Sequence, residues 1–178
     1  MIFFTADLHF YHDNIIKHRN RPFRNADVMN EALIKKWNEK VKPSDEVYIL
    51  GDFTLKGAQL AKRMLYRLNG KKYLVKGNHD KFVEKEEFDN SLFVWVKDYY
   101  ELTYNNTVFV MFHYPIAEWN GFFKGYIHLH GHQHNYENYN FDNLKAGIKR
   151  YDVGVDANYM VPVSIDEIIE FFQMEITE

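Results

Sequence analysis

Between Met29 and Val41 the apolar residues Met29, Leu33, Trp37 and Val41 fall four positions apart, with Ile34 beside them. That spacing draws one stripe along an α-helix, and Asn25 or Asp27 is placed to cap it, so the pattern predicts a helix over 25–41. A second stripe, Leu60, Ala61, Met64, Leu65 and Leu68, closes at Asn69-Gly70, a pair suited to the left-handed turn that stops a helix. Short apolar runs alternate with these stripes and read as buried strands: Ile2 to Ala6, "VYIL" at 47–50 and "KYLV" at 72–75. The first half is thus β-α-β-α-β. Each of its strands runs out into a polar group, "DLH", "GD" or "GNHD". In open α/β sheets the loops after the strand C-termini gather along one edge, where ligands bind.

The second half changes period. "LFVWV", "YYELTY", "TVFVMF", "YIHLH" and "YDVGV" are β-rich, and the pairs "NN", "NG" and "DN" between them read as turns. Ser164 and Glu167 form the two ends of a capping box, which predicts a last helix from Ile165 to about Met174. With no internal repeat, linker or low-complexity stretch, the expectation is one domain over 1–178, α/β in front and richer in β behind.

Composition narrows the function classes. At 178 residues, with 46% hydrophobic and 26% charged positions, the chain is long enough for a real core. A net charge of −3 argues against capture of nucleic acid by bulk charge, although a local basic patch stays open. The absence of cysteine excludes disulfides, thiolate nucleophiles and sulfur-ligated zinc. No stretch approaches the roughly 20 apolar residues of a membrane span, and "MIFFTADLHF" reads as a strand rather than a leader. A soluble cytoplasmic protein without membrane contact is expected.

The chemistry concentrates in a few places. "IHLHGHQH", from Ile127 to His134, sets four of the nine histidines at every second position. In a strand such residues share a face. Asp7, His9, Asp52, Asn78, His79, His113, His132 and His134 all follow predicted strands. Carboxylates, imidazoles and one amide suit manganese, iron, zinc or nickel. They are too many for one tetrahedral site and about enough for two neighbouring ions, the usual device for in-line displacement at phosphorus. Singly, each has a structural explanation: Asp7 as a turn cap, Asn78 within a β-turn, His113 packed beside a turn. Only a site explains why all of them follow successive strands.

The ordered blocks "DLH", "GD", "GNHD", the histidine before "YP", and "GHQH" resemble the calcineurin-like metallophosphoesterase superfamily, and "VGVD" extends the likeness to its small bacterial and phage members. The resemblance implies a two-layer mixed β-sandwich flanked by helices, in the α/β (α+β) class, with a dinuclear metal site at the strand C-terminal edge. One ion would take Asp7, His9, Asp52 and His134, and the other Asp52, Asn78, His113 and His132, with Asp52 bridging. Two divalent ions are implied, manganese first among the candidates, with a bridging hydroxide attacking phosphorus directly. His79 would be no ligand; it would stabilise charge on phosphorus or protonate the leaving oxygen. The substrate class favoured is a phosphodiester, a nucleotide or nucleic-acid end. A phosphomonoesterase and a non-catalytic metal-binding scaffold are the alternatives. Nothing in the sequence sets the oligomeric state.

The chain also departs from that pattern. Phe10 and Tyr11 stand where relatives carry small residues, which predicts a narrower mouth near the first ion. Leu55 replaces the aspartate that orients the catalytic histidine in phosphoprotein phosphatases, which argues against a protein phosphatase. His12, Arg21, Arg24 and His130 are further candidates to touch substrate or support the ligands. Arg21 and Arg24 belong to the basic stretch "KHRNRPFR", for which ordinary solvated charge is the leading explanation. For His128 and His130 it is satisfied core or surface histidine, and for "WNGFF" at 119–123 a packing loop.

Overall fold

The computed structural model describes residues 1–136 and 138–174. Its strands and helices follow in the order β1 (Ile2–Thr5), α1 (Asp13–His18), α2 (Ala26–Lys40), β2 (Glu46–Ile49), α3 (Ala58–Arg67), β3 (Lys71–Val75), β4 (Val96–Lys97), β5 (Tyr99–Tyr104), β6 (Thr107–Phe112), β7 (Ile127–His130), α4 (Asn138–Lys145), β8 (Arg150–Asp152), β9 (Val163–Ser164) and α5 (Ile165–Gln173). The strands form two sheets, β4-β3-β2-β1-β9 and β5-β6-β7-β8. In the first, β1 to β4 pair in parallel and β9 closes the edge antiparallel to β1. In the second, β5 and β6 form a hairpin, and β6, β7 and β8 run parallel.

Alternation within the strands builds two cores. Phe3, Val47, Ile49 and Leu74 face the helices and pack with Met29, Leu33, Trp37 and Leu65. Phe4, Tyr48, Leu50 and Val75 face the second sheet and meet Phe109, Met111, Leu129 and Val153, with Ile165 and Ile168 of α5. A sheet covered on both faces explains why the first three strands are apolar runs without polar alternation. The stripe on α2 buries Met29, Leu33 and Trp37, and the Asn25 side chain caps the helix at the Val28 N–H, 3.0 Å away. The Ser164–Glu167 capping box is present at α5.

Three elements differ from their sequence patterns. "LFVWV" contributes only its last residue, Val96, to the two-residue strand β4, and its first residue, Leu92, ends a 3-10 turn over Asn90–Leu92 started by the Asp89 carboxylate. "YDVGV" stops at Asp152, whose side chain accepts the Gly154 N–H at 2.7 Å and turns the chain. The pair "DN" at 142–143 lies inside α4 rather than in a turn. That helix buries asparagines, Asn140 and Asn143, so it offers no apolar stripe to detect.

Candidate metal centre

The parallel strands β1, β2, β3, β6 and β7 all release their chains toward one edge, and that edge carries the polar blocks. The two sheets meet there through a bridge between Ala6 and Gly154, directly beside Asp7. The backbone after the strands turns sharply. Asp7, His9, Asp52, His132 and His134 all hold positive φ, between 49° and 71°. Non-glycine residues enter that region at a cost, and clusters of them mark sites where geometry is imposed from outside the local chain. Here the imposition is visible. The Asp7 N–H donates to the Gly51 carbonyl and the His9 N–H to the Asp52 carbonyl, both at 3.0 Å, stitching the first loop to the second.

Two groups of side chains converge. Asp7, His9, Asp52 and His134 can each point one ligand atom into a common space, all within 4.8 Å of one another, and Asp52, His113 and His132 do the same. Asp52 belongs to both. Its Oδ2 lies 3.5 Å from His9 Nε2 and its Oδ1 3.6 Å from His113 Nε2, so one carboxylate faces each group with one oxygen. Asn78 joins the second group, its Oδ1 3.1 Å from His113 Nε2.

Electrostatics says what this arrangement lacks. Burial pushes the Asp7 carboxyl well above the carboxylate range, and the nearby charges of Asp152, Asp52 and Asp156 push it further. Its Oδ2 accepts the His132 N–H at 2.9 Å, while its buried Oδ1 has no hydrogen-bond partner. The imidazoles are held below their ordinary range, mainly by burial: His9, facing His134 at 3.1 Å between Nε2 atoms, and His113 and His132. Imidazole nitrogens crowded together beside a buried carboxylate oxygen that receives no hydrogen bond form a costly set of protein atoms and a suitable set of cation donors. The residues present therefore fit divalent metal ions.

Supporting contacts fix the imidazoles. His113 Nδ1 sits 2.7 Å from the Leu50 carbonyl, so that nitrogen carries the proton and Nε2 is left free. His134 Nδ1 is held at 2.8 Å by Asp156 Oδ2. Asp156 in turn receives two hydrogen bonds from Arg21, at 2.8 and 2.7 Å, and the same guanidinium donates to the Asp7 carbonyl at 2.7 Å. Burial pulls the Asp156 carboxyl upward, but hydrogen bonds from His134 and Arg21 outweigh it and the net shift is downward. Asp80 performs a similar task for the other loops. It accepts the N–H groups of Asp52, Phe53 and Gly77, each at 2.8 Å, and burial raises its carboxyl to about 6 against the pull of those bonds. Asp80 and Asp156 are absent from the sequence-based candidates. Their signal was the last letter of "GNHD" and of "VGVD". Gly77 is needed for closeness, since a Cβ there would collide with Asp52 Oδ1.

The remaining candidates separate. His79 stands at the mouth with its side chain 40% exposed, and its N–H donates to Asp52 Oδ1 at 3.0 Å. His12 reaches His9, with 3.3 Å between the Nδ1 atoms. Arg21 departs from the solvated charge expected of its stretch, being buried with its guanidinium fully engaged, whereas Lys17 and Arg24 are exposed in keeping with it. His128 and His130 lie beneath the centre. His128 is bracketed by the Val110 carbonyl and the Ile116 N–H, and His130 by the Gly131 carbonyl and the Tyr139 hydroxyl. Phe10 and Tyr11, expected to narrow the mouth, both turn into the core. Phe10 is fully buried against Phe53, and Tyr11 packs on the helical core. In the 119–123 loop Trp119 is buried and donates to the Tyr126 carbonyl, whereas Phe123 is exposed.

This geometry has known counterparts. The family model described as calcineurin-like phosphoesterase matches residues 1–158. The chain belongs to the calcineurin-like phosphoesterase family. Membership implies metal-dependent hydrolysis of phosphate esters, and the buried Asp/His cluster accords with it. The chain is 38% identical over 176 residues to an uncharacterized protein of Methanocaldococcus jannaschii, covering 97% of this chain and 91% of that one. It is 28% identical over 194 residues to the Gene 66 protein of Mycobacterium phage D29, covering 95% and 94%. The crystal structure of a protein of unknown function from Aquifex aeolicus superposes with a TM-score of 0.73 at 26% identity, covering 96% of this chain and 98% of that one. Among the described residues no helix is long and apolar enough to cross a membrane.

Proposed function

We propose that this family member is a phosphodiesterase acting on a nucleotide or nucleic-acid type of substrate, with two divalent ions, manganese foremost. Asp7, His9, Asp52 and His134 would hold one ion, and Asp52, Asn78, His113 and His132 the other. The ions, when bound, supply Lewis acidity toward the phosphoryl oxygens and lower the pKa of water so that it can attack phosphorus directly. The observation that carries the proposal is Asp52, one buried carboxylate facing both donor groups. Asp52 sets the spacing of the centre. His113 and His134 present fixed tautomers, because Leu50 and Asp156 occupy their other nitrogens.

His79 is a half-exposed imidazole beside the shared carboxylate, its ring edge-on to His9, and it is assigned to protonate the departing oxygen or to steady charge on phosphorus. The diester preference is supported by Leu55, which stands without the orienting aspartate of protein phosphatases. It is also supported by the cleft that opens past His79 and gives room for a second esterified group. The test is turnover of an aryl phosphodiester beside its monoester, with manganese and with chelator. The expected result is metal-dependent hydrolysis faster on the diester. Faster monoester turnover would assign a phosphomonoesterase. Absence of both, with metal bound, would favour a non-catalytic scaffold.

A further inference from the structure

The cleft past His79 has a volume of about 340 Å³ and is walled by Asn78 and His79 on the side of the metal centre. Three lysines, Lys56, Lys81 and Lys85, line the rest with a single carboxylate, Glu87. All three are exposed and, among the described residues, none forms an ion pair, whereas neighbouring Lys76 is engaged by Glu84 and Asp98. Unpaired ammonium groups converging on a concave wall create a local positive field that the overall charge of the chain conceals. The N-terminus of α3 opens onto the same wall at Gly57, and no side chain caps it, in contrast to α2 and α5. An uncapped helix start adds oriented N–H dipoles of the same sign. Leu55, 40% exposed, and Phe82 give the cleft an apolar floor.

Resting on the phosphodiesterase reading, we propose that this cleft is a phosphate subsite. It takes a second phosphate of the substrate, carried on the part of the molecule that lies on the His79 side of the scissile phosphate, and it selects phosphorylated di- and oligonucleotides over simple diesters. The lysines recognise that phosphate as point charges, and the apolar floor accepts the intervening sugar or base. The basic wall is contiguous with the candidate centre, so one extended anion can engage both. A single-phosphate substrate leaves the wall unused.

The test compares dithymidine dinucleotides bearing no terminal phosphate, a 5′-phosphate or a 3′-phosphate, on the manganese-loaded full-length protein. KM is read for those turned over, and Kd by calorimetry for any that are not. At least one phosphorylated form is expected to bind fivefold or more tightly than the unphosphorylated form. Lys81→Ala/Lys85→Ala should abolish that ratio. Lys124→Ala/Lys145→Ala, which removes the same charge from exposed positions elsewhere, should leave it intact. Equal binding of all three dinucleotides, or a preference that survives the Lys81/Lys85 pair, overturns the subsite. Because the readout is a ratio, it separates from the parent reading. A lysine-dependent preference without hydrolysis of any diester would sink the phosphodiesterase and keep the subsite, and diester hydrolysis without the preference would do the reverse.

Discussion

Asp7 shows at the scale of one residue how the fold stores the need for a cation. It is fully buried, holds a φ of 57°, leaves Oδ1 without a hydrogen-bond partner and sits among three other buried carboxylate side chains. Each of those features costs stability, and a divalent ion removes all but the backbone strain. Asp156 acts one step further out. Asp156→Asn keeps the shape but withdraws the charge that faces Arg21 and His134, and breaking a buried pair costs roughly 3–5 kcal/mol. We predict a destabilisation of that order in denaturant titration, together with a fall of about 10–100-fold in manganese affinity by calorimetry, the usual cost of losing an outer partner of a histidine ligand. Metal affinity equal to wild type would remove Asp156 from the support of the centre. The candidate ligands were legible from residue type and position after strands. Asp80, Asp156 and the buried role of Arg21 were not, because the contacts that define them are long-range: Asp80 reaches Phe53 across 27 positions, Asp156 reaches His134 across 22, and Arg21 reaches Asp156 across 135.

At the scale of elements, period carried most of the information. The four-residue stripe of α2 and the apolar runs of β1, β2 and β3 were readable because packing on a helix face or between two layers leaves a period behind. Helix α4 was not, since its buried contacts are amide hydrogen bonds such as Asn140 to Asp152. The β5–β6 hairpin was marked by its turn, Asn105-Asn106, both at positive φ. Glycine suits the second position of such a turn better than asparagine. Asn106→Gly is therefore predicted to stabilise the protein by roughly 0.5–1 kcal/mol, and Asn106→Ala to destabilise it by about 1–2 kcal/mol, measured by chemical unfolding. Strand β7 explains half of the histidine run. Burial lowers His128 and His130 to about 3 each, so both are neutral in the fold and protonate on unfolding. Between their ordinary pKa near 6.5 and about 3 the unfolded chain holds more protons, so their neutrality costs stability progressively as pH falls through that window. Each contributes a slope of about 1.4 kcal/mol per pH unit. His128→Gln keeps an acceptor for the Ile116 N–H and should flatten the loss by one proton's worth. An unchanged slope in the chelated protein would show that His128 is not neutral in the fold.

At the scale of the whole molecule, the two sheets, joined at Ala6 and Gly154, hold loops from both halves of the chain around one point. Metal should therefore stabilise the entire fold rather than one loop. At a free concentration 100 times its dissociation constant, an ion at one site adds about 2.7 kcal/mol, and manganese is predicted to raise the melting temperature of the chelated protein in a concentration-dependent way. A melting temperature indifferent to manganese would mean that the buried cluster holds none. The class of fold was legible from the order of the blocks, and the positions of the lysines around the His79 cleft were not. Lys56, Lys81 and Lys85 sit in ordinary polar stretches and meet only through the packing of α3 against the loop after β3.

As the carboxylate shared by both donor groups, Asp52 would join two ions into one centre. Electron paramagnetic resonance of the manganese-loaded protein tests it most directly, because two ions bridged by a carboxylate couple their spins and one isolated ion does not. Two ions should bind per chain, the spectrum should be that of an exchange-coupled pair, and the coupling should be lost in Asp52→Asn. A saturated protein that shows only the six-line signal of isolated manganese would contradict a centre shared through Asp52.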